Sequence, residues 1–332
     1  MPGKPQVIAL EEHYFDPEVK THFTGIDVTP APKIVERLDD VGAGRIGEMD
    51  AAGIDIQVLS HGAPSVQKIA DPALAVRLAR AANDRLCETV RAHPDRFAAF
   101  AALPTPDPNA AADELERCVA RLGFKGAMIH GLTNGLFIDD KRFWPILERA
   151  AALDVPLYMH PSIPHPAVTE AYYKDYVERF PTILRAAWGF TMETATQGIR
   201  LILSGVFDEY PGLKIILGHL GEGLPMMLWR INMGFARDSY QLAEVGNEAL
   251  SAAGKSFRDY FCEHFYITTS GFFSNPALLC CVQEIGVDRI MFSVDYPFVE
   301  NKPGVEWLPR IPLCAEDRAK IMSGNAKRLL KL

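Results

Sequence analysis

The chain has 332 residues, 48% hydrophobic and 23% charged, a balance that supports one large globular core. Its net charge is −8, with no basic run and no nucleic-acid-binding motif, so DNA and RNA are not expected partners. The apolar stretch Val7–Leu10 stops at two glutamates, too short for a secretory core, and no apolar run nears the roughly 20 residues of a membrane span.

In chain order, short apolar runs alternate with longer amphipathic ones. The strand candidates are Val7–Glu11, Ile56–Leu59, Phe97–Ala101, Gly126–Ile129, Val155–Met159, Lys214–Leu217, Phe265–Thr268 and Arg289–Phe292. They are apolar nearly throughout, as in a parallel sheet covered by helices. Helical periodicity marks Pro72–Ala92 behind an Asp N-cap, Ala110–Leu122 before Gly123, Lys141–Leu153, Met192–Ser204, Gly223–Asp238, and Asn275–Ile285 before Gly286. Successive βα units predict an α/β fold, a single (β/α)8 barrel over residues 1–332. No GxGxxG follows the first strand, which argues against a dinucleotide-binding sheet. Two stretches exceed the minimal barrel: Thr21–Gly44 after the first strand and Ser162–Ala187 after the fifth. Both leave strand ends where barrel enzymes build active sites, and they read as walls or lids. The six cysteines form no CxxC pair and read as reduced core thiols of a cytoplasmic protein.

Histidines carry the functional signal. His13, His61, His130, His160 and His219 all fall at or just past the C-terminal end of a predicted strand, where a closed barrel gathers them at one mouth. His22, His93, His165 and His264 lie elsewhere and read as structural or lid residues. Glu11 and His13 are two apart on an extended strand, so both side chains share a face and can hold one ion. Asp295 follows the eighth strand, the neighbour of the first in a closed barrel, and His160 ends the fifth across the mouth. Imidazole nitrogen with carboxylate oxygen suits Zn²⁺, Mn²⁺ or Fe²⁺; the absence of thiolates points to an open, catalytic position.

The blocks ALEEH, TNGLFIDDKRFWPIL, DVPLYMHP, LILSGVFDEYPGLKIILGHLGEGLPMMLWR, FYITTSG and DRIMFSVDYPF together resemble the amidohydrolase-2 group of the amidohydrolase superfamily. Within it the chain is similar to the nonoxidative decarboxylases of γ-resorcylate, 2,3-dihydroxybenzoate and 5-carboxyvanillate. Superfamily hydrolases usually open with His-x-His; this chain has Glu-x-His, as the aromatic decarboxylases do. The resemblance implies Glu11, His13, His160 and Asp295 as ligands of one Zn²⁺ or Mn²⁺ ion, with no organic cofactor. It implies His219 and Glu222 as proton-handling residues, Arg230 and Phe298 as substrate contacts, and a homodimer or homotetramer. The run WRINMGFAR, Thr191 in WGFTMETA and His61 in SHGAPSVQ depart from the group's pattern and bear on the identity of the acid.

The expected reaction is decarboxylation of an ortho-hydroxylated aromatic acid. Asp295 protonates the ring carbon that bears the carboxylate, CO2 leaves and aromaticity returns. General acid catalysis of this kind contributes roughly 10²–10⁴-fold. Tyr172, Tyr173 and Trp188 are candidates for the apolar walls of the site. The same ligands would also serve a metal-dependent hydrolase or hydratase acting on a lactone, amide or unsaturated acid. A non-catalytic binding barrel is the third reading.

Overall fold

The computed structural model describes residues 5–25, 31–235 and 254–332. Its strands are β1 (Ile8–Tyr14), β2 (Ile56–His61), β3 (Phe97–Ala99), β4 (Ala101–Ala102), β5 (Ala127–His130), β6 (Pro156–His160), β7 (Lys214–Leu217), β8 (Phe265–Thr268) and β9 (Ile290–Met291). All pair in parallel, in the orders β1-β2-β3 and β4-β5-β6-β7-β8-β9. β3 and β4 are one extended run that changes partner at Phe100. The Phe100 N–H donates to Leu59 O at 2.9 Å, and the Ala101 N–H to Gly126 O at 2.9 Å. The ring closes where β1 meets the chain just after β9. Glu12 pairs in parallel with Tyr296, the His13 N–H donates to Tyr296 O at 2.7 Å, and the Glu11 N–H donates to Ser293 Oγ at 2.8 Å. The architecture is a (β/α)8 barrel.

Strand alternation sorts side chains into two cores. Ile8, Leu10, Val58, Ala98, Phe100, Met128, Tyr158, Ile216 and Met291 fill the interior, floored by Ala326, Leu329 and Leu330 of the C-terminal helix Asn325–Leu330. The outward set, including Ala9, Leu59, Ala99, Ile129, Leu157, Ile215 and Ile267, packs against the surrounding helices. In β1 this alternation slips. Its register against β2 shifts between Ala9 and Glu12, so Ile8 and Leu10 face inward below the shift and Glu11 and His13 above it. Such an irregularity re-aims side chains at a strand end.

Helix Pro72–Ala92 has the expected limits, because Asp71 accepts from the Ala73 N–H at 3.0 Å. Asn275–Ile285 and β7 and β8 also run as read from sequence. Other boundaries differ. The predicted Arg289–Phe292 strand shortens to β9, since Arg289 closes the turn Val287–Arg289 and the Phe292 N–H turns to Ile321 O at 3.0 Å. The predicted Gly223–Asp238 helix spans Leu224–Gly234; residues 236–238 lie outside the described residues. Thr21–Gly44 contains helix Pro32–Asp39 and the start of Ala43–Ala52, with residues 26–30 outside the described residues. Helix Phe257–His264, absent from the sequence reading, starts at a reciprocal cap between Ser256 and Asp259. No helix of the described residues is long and apolar enough to cross a membrane.

Candidate active site

At the mouth, β1 presents Glu11 and His13, β6 ends on His160, and Asp295 follows β9. One donor atom from each lies within 4.8 Å of the others. His13 Nε2 is 3.9 Å from Glu11 Oε1 and 3.3 Å from Asp295 Oδ1, and His160 Nε2 is 3.4 Å from Glu11 Oε1. Glu11 Oε1 and His13 Nε2 are buried with no hydrogen-bond partner. Burial pushes the Glu11 carboxyl up, against the pull of the nearby histidines. Buried polar atoms left unpaired around one point are costly unless a cation pairs them. The set of two imidazoles and two carboxylates therefore fits a divalent transition ion.

Each donor is oriented from behind. His160 Nδ1 donates to Pro161 O at 2.7 Å, which leaves the Nε2 lone pair facing the cluster. His13 Nδ1 meets Ser60 Oγ at 3.2 Å. Glu11 Oε2 is held by the hydroxyls of Tyr158 and Ser270, themselves joined to Thr268 Oγ1 at 2.6 and 2.7 Å. One Glu11 oxygen is thus satisfied and the other is left for an ion. Gly218 borders this network: a Cβ there would meet Glu11 Oε2 at 2.8 Å. Glu12, on the opposite face of β1, brackets Asp295, accepting the Val294 N–H at 2.9 Å and the Tyr296 N–H at 3.2 Å. Fully buried Arg45 ties the same corner, donating to His13 O and stacking on the Tyr296 ring.

His219 stands beside the cluster. Its Nδ1 is 2.8 Å from Glu222 Oε1 and its Nε2 3.8 Å from Asp295 Oδ2. Burial disfavours the imidazolium, but these two carboxylates outweigh it and raise the His219 pKa well above the ordinary histidine value. Asp295 is held down to about 2, because His13 and His219 outweigh its burial. Backbone strain gathers here. Of the eight non-glycine residues with positive φ among the described residues, His219, Leu220, Glu222, Ser270 and Asp295 all border this centre.

The other candidates separate. The Phe298 ring lies 5.8 Å from the His13 ring and is half exposed. Arg230 is exposed on helix Leu224–Gly234, with no ion pair or hydrogen bond tying it to the cluster. His130 packs on the His160 ring at 4.8 Å, whereas His61 lies against Tyr14 and Phe15 and donates to Gly62 O at 2.7 Å. Tyr172 and Trp188 are exposed. The apolar walls beside the centre are instead Phe23, Ile163 and Phe190, which line a cavity of about 370 Å3 that also touches His130. Tyr158, Thr268, Ser270 and Glu12 were not visible as site residues in the sequence. Strand alternation is the signal that could have found Tyr158, which lies two residues before His160.

A family model described as amidohydrolase matches residues 19–332. The chain belongs to the amidohydrolase family. Among its relatives is the γ-resorcylate decarboxylase of Polaromonas sp. (strain JS666), 42% identical, with 98% of this chain and 98% of that protein covered. A solved structure of a 2,6-dihydroxybenzoate decarboxylase complexed with 2,6-dihydroxybenzoate shares 40% identity at a TM-score of 0.88, covering 99% of both chains. That of a dihydroxybenzoic acid decarboxylase from Polaromonas sp. JS666, with manganese and the inhibitor 2-nitroresorcinol, shares 42% identity at a TM-score of 0.89, covering 99% of this chain and 98% of that one.

Proposed function

We propose that this amidohydrolase-family barrel, acting as one unit over residues 1–332, is a metal-dependent nonoxidative decarboxylase of an ortho-hydroxylated aromatic carboxylic acid, of the 2,6-dihydroxybenzoate type. The observation that carries the reading is the Glu11–His13–His160–Asp295 cluster with its unpaired buried donor atoms, in a chain full-length similar to decarboxylases of this class. These four residues would hold one divalent ion, Mn²⁺ or Zn²⁺; manganese is the ion in a relative's structure. When bound, the ion polarises the phenol oxygen and the carboxylate as a Lewis acid.

The side chains supply the proton. Asp295 is ionised in the free protein, so it must first take up a proton. His219, whose charged form is favoured and whose Nε2 faces Asp295 Oδ2, is the adjacent source, and Glu222 stabilises the imidazolium it starts from. Asp295 then gives this proton to the ring carbon that bears the carboxylate, while the electron pair of the phenolate moves into the ring. The C–C bond breaks, its electron pair restores aromaticity, CO2 departs, and Asp295 is a carboxylate again. The half-exposed Phe298, against His13, offers an apolar face to the ring, and Arg230, exposed on helix Leu224–Gly234, is kept as the proposed cationic contact for the acid.

Six free cysteines fit a reducing compartment, and we place the protein in the cytoplasm. Met226 and Trp229, 80% and 69% exposed beside Arg230, fit burial against another copy, and we expect a homodimer or homotetramer by light scattering. The deciding experiment is turnover of the manganese-loaded protein with 2,6-dihydroxybenzoate in D2O. One deuterium on the carbon that lost CO2 supports the mechanism. Absence of CO2 from any ortho-hydroxybenzoate, with ¹⁸O uptake into a lactone, would establish hydrolysis instead.

A further inference from the structure

The cavity beside the cluster has a polar lining that the reaction above does not use. Phe23, Ile163 and Phe190 give it apolar walls, and its volume of about 370 Å3 is that of a small-ligand site. His130 lines it, is 1% exposed, and has both ring nitrogens unpartnered. This is no accident of a loose side chain, because Gln67 grips the His130 backbone from both directions: its Oε1 accepts the His130 N–H at 2.6 Å and its Nε2 donates to His130 O at 2.7 Å. Whatever its protonation state, the ring has at least one N–H to give.

The next residue after Gln67 adds the charge. Lys68 lines the same cavity and donates to Leu132 O, which occupies one of the three ammonium hydrogens. No carboxylate lines the cavity, and no ion pair neutralises Lys68 among the described residues. Burial lowers the Lys68 pKa, and Glu193, the carboxylate that opposes this shift, is not part of the lining and is itself pushed up by burial. Ser162 and Thr24 complete the polar contacts. A lysine, a histidine and two hydroxyl residues lining one apolar-walled space with no carboxylate form an acceptor-seeking site suited to an anion. A phenol hydroxyl would be satisfied by His130 alone and would leave the cation idle.

We propose that this cavity is a subsite for a second carboxylate on the aromatic ring, bound between Lys68 and His130, so that the preferred substrate is an ortho-hydroxylated aromatic diacid. The reacting carboxylate and phenol oxygen face Glu11, His13, His160 and Asp295, so the inference rests on the decarboxylase reading. His130 lines the cavity and packs on the His160 ring, so the two subsites adjoin.

The test compares 2,6-dihydroxybenzoate with ortho-hydroxybenzoates carrying an additional ring carboxylate, hydroxyisophthalate and hydroxyterephthalate. CO2 release is followed with the manganese-loaded wild type, Lys68→Met and Lys68→Arg. The wild type should show the higher kcat/KM for one of the diacids. Lys68→Met should cut the ratio of diacid to monoacid kcat/KM by about 10- to 100-fold, the worth of one hydrogen bond to a charged group, mostly through KM, with Lys68→Arg restoring part of it. No diacid preference in the wild type, or an equal loss on both classes in Lys68→Met, overturns the proposal; the second result would place the reacting carboxylate at Lys68. If no acid is decarboxylated, the decarboxylase reading fails and calorimetry with isophthalate and benzoate still tests the subsite. Lys68→Met must then weaken isophthalate binding selectively, and unchanged binding sinks it.

Discussion

Glu12 is the residue whose removal tests how the centre is held. It is not one of the four clustered residues, yet its two oxygens accept the N–H groups on either side of Asp295. Glu12→Gln keeps one accepting oxygen and turns an NH2 toward the other N–H; Glu12→Ala orphans both. Each buried N–H left unsatisfied costs about 1–3 kcal/mol, so about 2 kcal/mol is expected for Gln and about 4 for Ala. Unfolding entropy near 2.1 cal/mol/K per residue over 332 residues is roughly 0.7 kcal/mol/K. The metal-free melting temperature should therefore fall by about 3 °C in Glu12→Gln and about 6 °C in Glu12→Ala. Scanning calorimetry in chelator isolates this term, since a bound ion would add its own stabilisation. Because Asp295 sits at φ 70, releasing its neighbours should also let it relax, lowering manganese affinity and kcat by about tenfold or more. Melting within about 1 °C of wild type for both variants, or equal losses for the two, would refute the hydrogen-bond count.

Chelation should abolish turnover and Mn²⁺ restore it, and Glu11→Ala should fail to retain the ion by elemental analysis, because it removes a buried donor of the cluster. Tyr158→Phe deletes one of the hydroxyls on Glu11 Oε2 and should weaken manganese binding about 10- to 100-fold in a competition titration while the fold persists. Burial lowers the His61 pKa from 6.5 to about 4. The unfolded chain therefore takes up a proton that the folded one refuses. That stability is complete above pH ~6.5 and lost as pH falls toward ~4, by roughly 3 kcal/mol at most. Urea unfolding at pH 7.5 and 5 should show a smaller drop in His61→Gln than in wild type, by about 2 kcal/mol.

The barrel was legible because each buried parallel strand is a nearly unbroken apolar run and the helices between them carry a different period. The runs Lys214–Leu217 and Phe265–Thr268 and the helix Pro72–Ala92 needed nothing more. What periodicity cannot see is a bond made out of register. The break at Phe100 depends on which neighbour takes each N–H, and the loss of Phe292 from the last strand on the distant Ile321 carbonyl. In the centre, a His or a carboxylate at a strand end is conspicuous, so the four residues that gather there and His219 stand out in the chain as candidates. Glu12 was passed over beside Glu11 because a buried carboxylate used only for backbone N–H groups has no residue pattern of its own. Tyr158 looked like core and is core, except for its hydroxyl. Tyr172 and Trp188 looked like walls, but the segment that carries them turns them to the surface.

The register slip in β1 has a practical meaning for anyone moving this chemistry between barrels. Below the slip, inward positions such as Ile8 and Leu10 answer only to volume and exchange with other hydrocarbons of similar size. Above it, the inward positions Glu11 and His13 answer to an ion. Because the joint lies between the two, floor and mouth keep separate phase. A transplant of Glu-x-His onto a regular strand that kept the apolar spacing underneath would swing both donors out among the helices. The portable unit is the joint together with the two donors, and a recipient strand must lengthen by one residue to receive it.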